Sequence, residues 1–194
     1  MTLVRSRIFP MILLVFAAAG CQSQDKTPEP RFVSSSPGAP AKLLSESREE
    51  GYFIEFRSRY ALSYGHTYVV FGRATKSGAM INPEVAGLAP ASNDPTPYVF
   101  GHFVPVPAET GLSDGDLEEE YRSASWRVML TEPEYRKVVA DIRKLKEKSR
   151  FWHATFYNCN AFVADIARSM GYKTPGIWLR PQEFITKLRE MNGG

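Results

Sequence analysis

The strongest constraint on how this chain folds is a break in composition at Gly51. Residues 22–50 set Pro28, Pro30, Pro37 and Pro40 among serines and charges, with no helical or strand period. Such a stretch has too little apolar surface to offset the entropy of ordering it, so it is read as a partly extended spacer. From Gly51 to Gly194 aromatic and β-branched runs take over. That part has the size of one domain, and the 194-residue chain is too short for two ordinary ones. Apolar residues make up 43% and aromatics 12%, which is enough to build a core and excludes wholesale disorder. Two cysteines exclude a disulfide-rich scaffold and a four-cysteine zinc site.

Within the domain, Tyr52–Phe56 and His66–Phe71 read as strands, the second ended by Gly72. Tyr98–Val106 reads as a third strand, with Pro105 and Pro107 at its end, and Trp126–Leu130 alternates as a fourth. Thr131 is a helix N-cap candidate with Pro133 in the first turn. Tyr135, Val138, Val139, Ile142 and Leu145 then follow at helical spacing. Asn158 caps a second helix, carrying Phe162, Val163, Ile166, Ala167 and Met170, with Gly171 as its C′ residue. Pro181 starts a third, with Phe184, Ile185, Leu188 and Met191. Strands followed by helices predict an α+β domain with an antiparallel sheet packed against helices. Between the second and third strands, residues Ala74–Pro97 read as a long loop, either a lid over a site or a surface insertion.

The first twenty residues carry Arg5 and Arg7, then an apolar run from Ile8 to Ala19 broken only by Pro10. That run is short for a membrane span and has the order of a secretory signal. Ala18-Ala19-Gly20-Cys21 resembles a bacterial lipobox. The resemblance implies cleavage before Cys21 and acylation of its sulfur, a stable anchor when two or three chains are attached. Segments 1–20, 21–50 and 51–194 are then signal peptide, lipid-anchored spacer and folded domain. Gln22 after the cysteine implies, by the same resemblance, the periplasmic face of the outer membrane of a bacterial envelope. The net charge of +3 falls to +1 once Arg5 and Arg7 are removed, which gives no argument for nucleic acid.

Cys159 is the expected centre of any chemistry. In the first turn of a helix capped by Asn158, unpaired N–H groups and the helix dipole stabilise an anion. The position is expected to lower a thiol's pKa, and the same N–H groups suit an oxyanion. The bland alternative is a small buried core residue. A nucleophile needs a proton acceptor, and the histidines are His66, His102 and His153.

Tyr64-Gly65-His66-Thr67-Tyr68-Val69-Val70-Phe71-Gly72 resembles the histidine strand of the circularly permuted papain-like thiol enzymes. This NlpC-type clan includes the lecithin:retinol acyltransferase-like proteins. Asn158-Cys159-Asn160-Ala161-Phe162-Val163 is similar to the clan's cysteine helix, and His before Cys is the permuted order. The resemblance covers roughly residues 52–172. It implies a permuted papain-like fold with Cys159 as nucleophile and His66 as general base and acid, and no cofactor or metal. A third polar residue would orient the imidazole. His102 is the candidate for it and His153 the rival, although His102 follows the base at longer spacing than usual in the clan.

The implied activity is hydrolysis of a peptide or peptidoglycan amide through a thioester. The enzymatic alternative is acyl transfer from lipid donors, and the non-enzymatic one is an envelope binding or scaffolding module. Weaker features stay open. The run Asp114, Asp116, Glu118, Glu119 and Glu120 suits a solvated turn better than a calcium loop, and the basic face of the Tyr135–Leu145 helix suits solvent. Trp152 and Tyr157 are read as a groove lining or as core.

Overall fold

The structure, a computed structural model, describes residues 51–61, 64–92 and 94–194. The expected signal peptide, Cys21 and the spacer lie outside the described residues.

Strands β1 (Gly51–Arg59), β2 (His66–Ala74), β3 (Met80–Gly87) and β6 (Arg122–Leu130) form an antiparallel sheet in the order β3-β2-β1-β6. A smaller antiparallel sheet joins β4 (Ala89–Pro90), β5 (Val106–Glu109) and β7 (Phe151–Trp152) in the order β4-β5-β7. The helices are α1 (Thr96–Phe100), α2 (Glu132–Lys148), α3 (Cys159–Ser169) and α4 (Pro181–Glu190). This is the expected α+β class, with antiparallel sheets packed against helices.

Alternation along β1 and β2 divides the main sheet into two buried faces. Ile54, Phe56, Val69 and Phe71 join Phe162, Val163 and Ile166 of α3 and Phe184, Ile185 and Leu188 of α4 in one core. Phe53, Tyr68, Val70, Ala74 and Val85 cluster on the opposite face. Burial on both sides explains why β2 reads as an unbroken apolar run from Tyr68 to Phe71, whereas β1 carries the buried charges Glu55 and Arg57. Phe162 and Phe184 are fully buried, each contributing about 1.5–3 kcal/mol of transfer free energy.

The helix ends follow their capping residues. Thr131 and Glu134 form a reciprocal capping box at α2. Gly171, at φ +86°, follows α3 as the expected left-handed residue. Its N–H donates to the Arg168 carbonyl and that of Tyr172 to the Ala167 carbonyl, which satisfies the last turn.

Two expectations are corrected. The Ala74–Pro97 stretch is no free loop, because β3 and β4 lie within it. Val85, Ala86 and Leu88 are buried there, and β3 pairs with β2 across a register shift between Phe71 and Arg73. The expected strand Tyr98–Val106 is instead the short helix α1 and a turn, with β5 starting only at Val106. Pro95 and Pro97 preset a helical entry, and the Asp94 carboxylate accepts the Thr96 N–H at 2.6 Å.

Candidate functional site

The site grows from the N-terminus of α3. The Asn158 side-chain oxygen accepts the Ala161 N–H at 3.1 Å, so Cys159 occupies the first helical position as expected. The two asparagines flanking the cysteine tie down the chain above it. Asn158 Nδ2 donates to the carbonyls of Ala154 (2.8 Å) and Ile177 (3.3 Å). Asn160 Nδ2 donates to Ile177 (3.0 Å) and Leu179 (2.8 Å), while its Oδ1 accepts the Thr67 hydroxyl at 2.9 Å. Asn160 is fully buried and each of its polar atoms has a partner. It anchors α3 to β2 and both to the 177–179 segment.

These ties leave Cys159 only 5% exposed. Burial pushes its thiol up, and the Thr67 side chain and the N–H groups of Thr67, Asn160 and Cys159 only partly pull it back. The expected lowering is therefore corrected: in this closed arrangement desolvation outweighs the helix N-terminus, and the resting form at neutral pH is the thiol. Two surface pockets, one between α2 and α3 and one along α4, are lined by neither Cys159 nor His66.

His66 opens β2 and is buried. Thr67 turns toward α3, so alternation turns His66 and Tyr68 to the other face, where their rings stack at 5.7 Å. His66 Nε2 is buried with no hydrogen-bond partner and is not bonded to Cys159. Burial brings its pKa down to about 4, with Asp116 opposing that shift and Arg59 reinforcing it. The imidazole is therefore neutral at pH 7. A histidine held below its ordinary value opposes protonation, so its contribution to stability is lost as pH falls from about 6.5 toward 4.

Asp116 is the residue that sequence reasoning missed. Its neighbours Asp114, Glu118, Glu119 and Glu120 are exposed, as the solvated turn predicts, but Asp116 is buried. Its carboxylate accepts from Arg59 Nε at 2.6 Å and from the Ser113 N–H at 2.8 Å. It sits close enough to His66 to act on its charge. Tyr98 packs on Trp152 within electrostatic reach of Cys159 and Asp116. Burial first raises its phenol, and it also feels Arg59, Cys159 and Asp116. The Tyr64 phenol, likewise raised mainly by burial, also feels Cys159.

The other histidines lie apart from this pairing. His102 is exposed on the turn after α1, its Nδ1 within 2.8 Å of the Tyr98 carbonyl and its ring edge-on to Trp152. His153 is buried, and its Nδ1 accepts the Thr155 N–H at 3.1 Å. Neither is hydrogen-bonded to His66 or Cys159. Trp152 is buried and packs edge-on to Tyr98, and the Tyr157 hydroxyl donates to Asp165 at 2.8 Å, which places both in the scaffold.

Comparison with protein-family models, curated proteins and solved structures found no match. Among the described residues, no three His, Cys, Asp or Glu side chains converge as a metal site, and no helix is long and apolar enough to cross a membrane.

Gly87 faces the imidazole directly. A Cβ there would lie 2.8 Å from His66 Nε2 and 3.1 Å from Tyr68 Cβ. Gly87→Ala is expected to cost about 1–3 kcal/mol by overpacking. It should also push the ring toward solvent, raising its titration midpoint from about 4 toward the ordinary 6.5. Denaturant melts and NMR titration of the imidazole check both; an unmoved midpoint would contradict this geometry.

Proposed function

We infer that the protein is a thiol hydrolase of the permuted papain-like type, acting on an amide of a peptide or of peptidoglycan. The observation that carries this reading is the cluster of donors around Cys159: the N–H groups of Thr67, Asn160 and Cys159 all favour negative charge at the sulfur. They are amides that could equally serve a tetrahedral oxyanion. The proton acceptor in this reading is the neutral imidazole of His66, whose Nε2 has no hydrogen-bond partner but which rests on the face of β2 opposite Thr67.

In the proposed cycle His66 Nε2 takes the Cys159 proton as the sulfur attacks the carbonyl carbon. The C–N bond then breaks, and His66 returns the proton to the leaving amine. Water attacks the resulting thioester with His66 again as base, releasing the acid and the thiol. Asp116 and Arg59, a charge pair beside the imidazole, bear on its protonation in place of the expected His102. At rest His66 lies with Tyr68 on the face of β2 opposite Thr67 and α3, so the cycle requires the start of β2, preceded by Gly65 at φ +99°, to turn the imidazole toward the thiol. Anchoring through acylated Cys21 at the periplasmic face of the outer membrane, and acyl transfer from a lipid donor instead of hydrolysis, belong to the same proposal.

One observation favours the non-catalytic alternative: a buried thiol pushed upward is also what a packing cysteine has. Alkylation by iodoacetamide separates the two. A base-assisted thiol is expected to label at a rate that holds from pH 8 down toward the His66 midpoint of about 4. His66→Ala should slow labelling at pH 7 by about 10²-fold or more, the usual contribution of a positioned base. Labelling that ignores His66, or that rises only with the ionisation of a buried thiol, would support packing.

A further inference from the structure

Beside the thiol lies a surface that the proposed hydrolysis does not use. Phe103 is 78% exposed, Phe156 76% and Trp178 71%, with Val99, Phe100 and Tyr64 also exposed. They stand on separate segments that are hydrogen-bonded in a row. The Ala154 N–H donates to the Gly101 carbonyl at 2.9 Å, Trp178 Nε1 to the Thr155 carbonyl at 2.9 Å, and the Tyr64 hydroxyl to the Leu179 carbonyl at 3.2 Å. Those ties hold the segments that carry these exposed side chains next to one another. Exposed apolar side chains gathered in this way mark a surface for docking.

The charge on this face selects the occupant. Residues 98–104, 150–157 and 176–181 contain no aspartate or glutamate, and they contribute Arg150 and Arg180, both exposed. A second copy meeting the face symmetrically would set these cations against themselves. Protruding Trp, Phe and Tyr side chains with arginines at the margin instead match a lipid–water interface carrying negative headgroups. The chain outside the described residues fits the same occupant. Residues 22–50 separate Gly51 from Cys21, the expected point of acylation, and a chain of that length reaches at most about 100 Å when fully extended. The domain would therefore remain within reach of the surface to which it is tethered.

We propose that the face formed by Val99, Phe100, Phe103, Phe156 and Trp178 docks on an anionic phospholipid surface. Its basis is separate from the thiol chemistry, and it stands whether or not Cys159 is catalytic.

Trp178 is a built-in reporter, because Trp152 is buried and Trp126 only partly exposed. The full chain would be reconstituted in phosphatidylcholine–phosphatidylglycerol vesicles, with and without brominated acyl chains. Subtracting the emission of Trp178→Phe isolates the Trp178 signal. Bromine is expected to quench more than half of it, and Phe103→Glu with Phe156→Glu, both at exposed positions, should abolish the quenching. Equal Trp178 emission on brominated and unbrominated vesicles would overturn the proposal. So would a Trp178 shift that follows protein rather than lipid concentration, since that identifies a second copy as the occupant. Quenching unaffected by the two glutamates would overturn it as well, since contact would then arise from the tether alone.

Discussion

Glu55→Ala is expected to destabilise the domain by about 3–5 kcal/mol, a large share of the 5–15 kcal/mol that holds a typical domain folded. Glu55 is a charge in the middle of β1, 2% exposed, and it receives Arg57 Nε at 3.0 Å, Arg122 Nη1 at 3.2 Å and Arg127 Nε at 2.7 Å. Burial would raise its pKa, but Arg57 and Arg127 more than reverse that and hold the carboxyl below its ordinary value. Removing it leaves the 1%-exposed Arg57 with the half-exposed Glu119 and the thioether of Met80 in place of a buried carboxylate. The loss comes from stranding buried guanidinium charge, which costs more than the intact cluster contributes over an apolar one. The sign with pH follows. A carboxyl held below its ordinary value contributes stability that is present above about pH 4.5 and lost as pH falls through its lower folded value. Wild type should therefore lose stability in two acid stages, the first from His66 between about 6.5 and 4 and the second from Glu55 below that. Urea melts across pH 3–8 check this, and a Glu55→Ala profile that keeps the second stage would contradict the assignment.

Under the proposed thiol-hydrolase reading, Cys159→Ser is expected to abolish turnover, with a loss of about 10⁴-fold or more, as when the nucleophile of a hydrolase is removed. It should leave the fold intact, because a hydroxyl is small enough for the site and can use the same N–H donors. The measurement is the mass of the full chain after brief exposure to an activated ester such as p-nitrophenyl butyrate. One butyryl group on Cys159, released on longer incubation, is the thioester intermediate. A wild-type protein that takes up no acyl group, with Cys159→Ser differing from it only in a small change of melting temperature, would leave the cysteine as packing.

These two residues also show how differently parts of the molecule were legible. Cys159 announces itself locally: Asn158 is an N-cap, the apolar period begins behind it, and both signals act within one helical turn. Asn160 carries the same local signal but a long-range job, since its bonds to Thr67, Ile177 and Leu179 exist only once α3 lies on β2. Helices α2, α3 and α4 were readable because caps and a 3.6-residue period are properties of a short window. Strands β1, β2 and β6 were readable because dense β-branched and aromatic runs are too.

The misread elements failed for reasons of the same kind. Strand β3 is weak by itself, with Asn82 at φ 44° and Pro83 inside it, and it exists because β2 offers it an edge. In α1, Tyr98, Val99 and Phe100 favour a strand by composition. Two prolines, the Asp94 cap and the docking of Tyr98 on Trp152 override that preference.

Composition and spacing thus determined by themselves the α+β class, and that Cys159 opens a helix after a strand that begins with His66. The tertiary structure alone decided the state of that pair. Ionisation depends on what surrounds a group in three dimensions, and burial turned an expected thiolate into a thiol and an ordinary imidazole into one neutral down to about pH 4. It also drew Asp116 out of an acidic run of exposed neighbours, because only folding brings Arg59 to meet it.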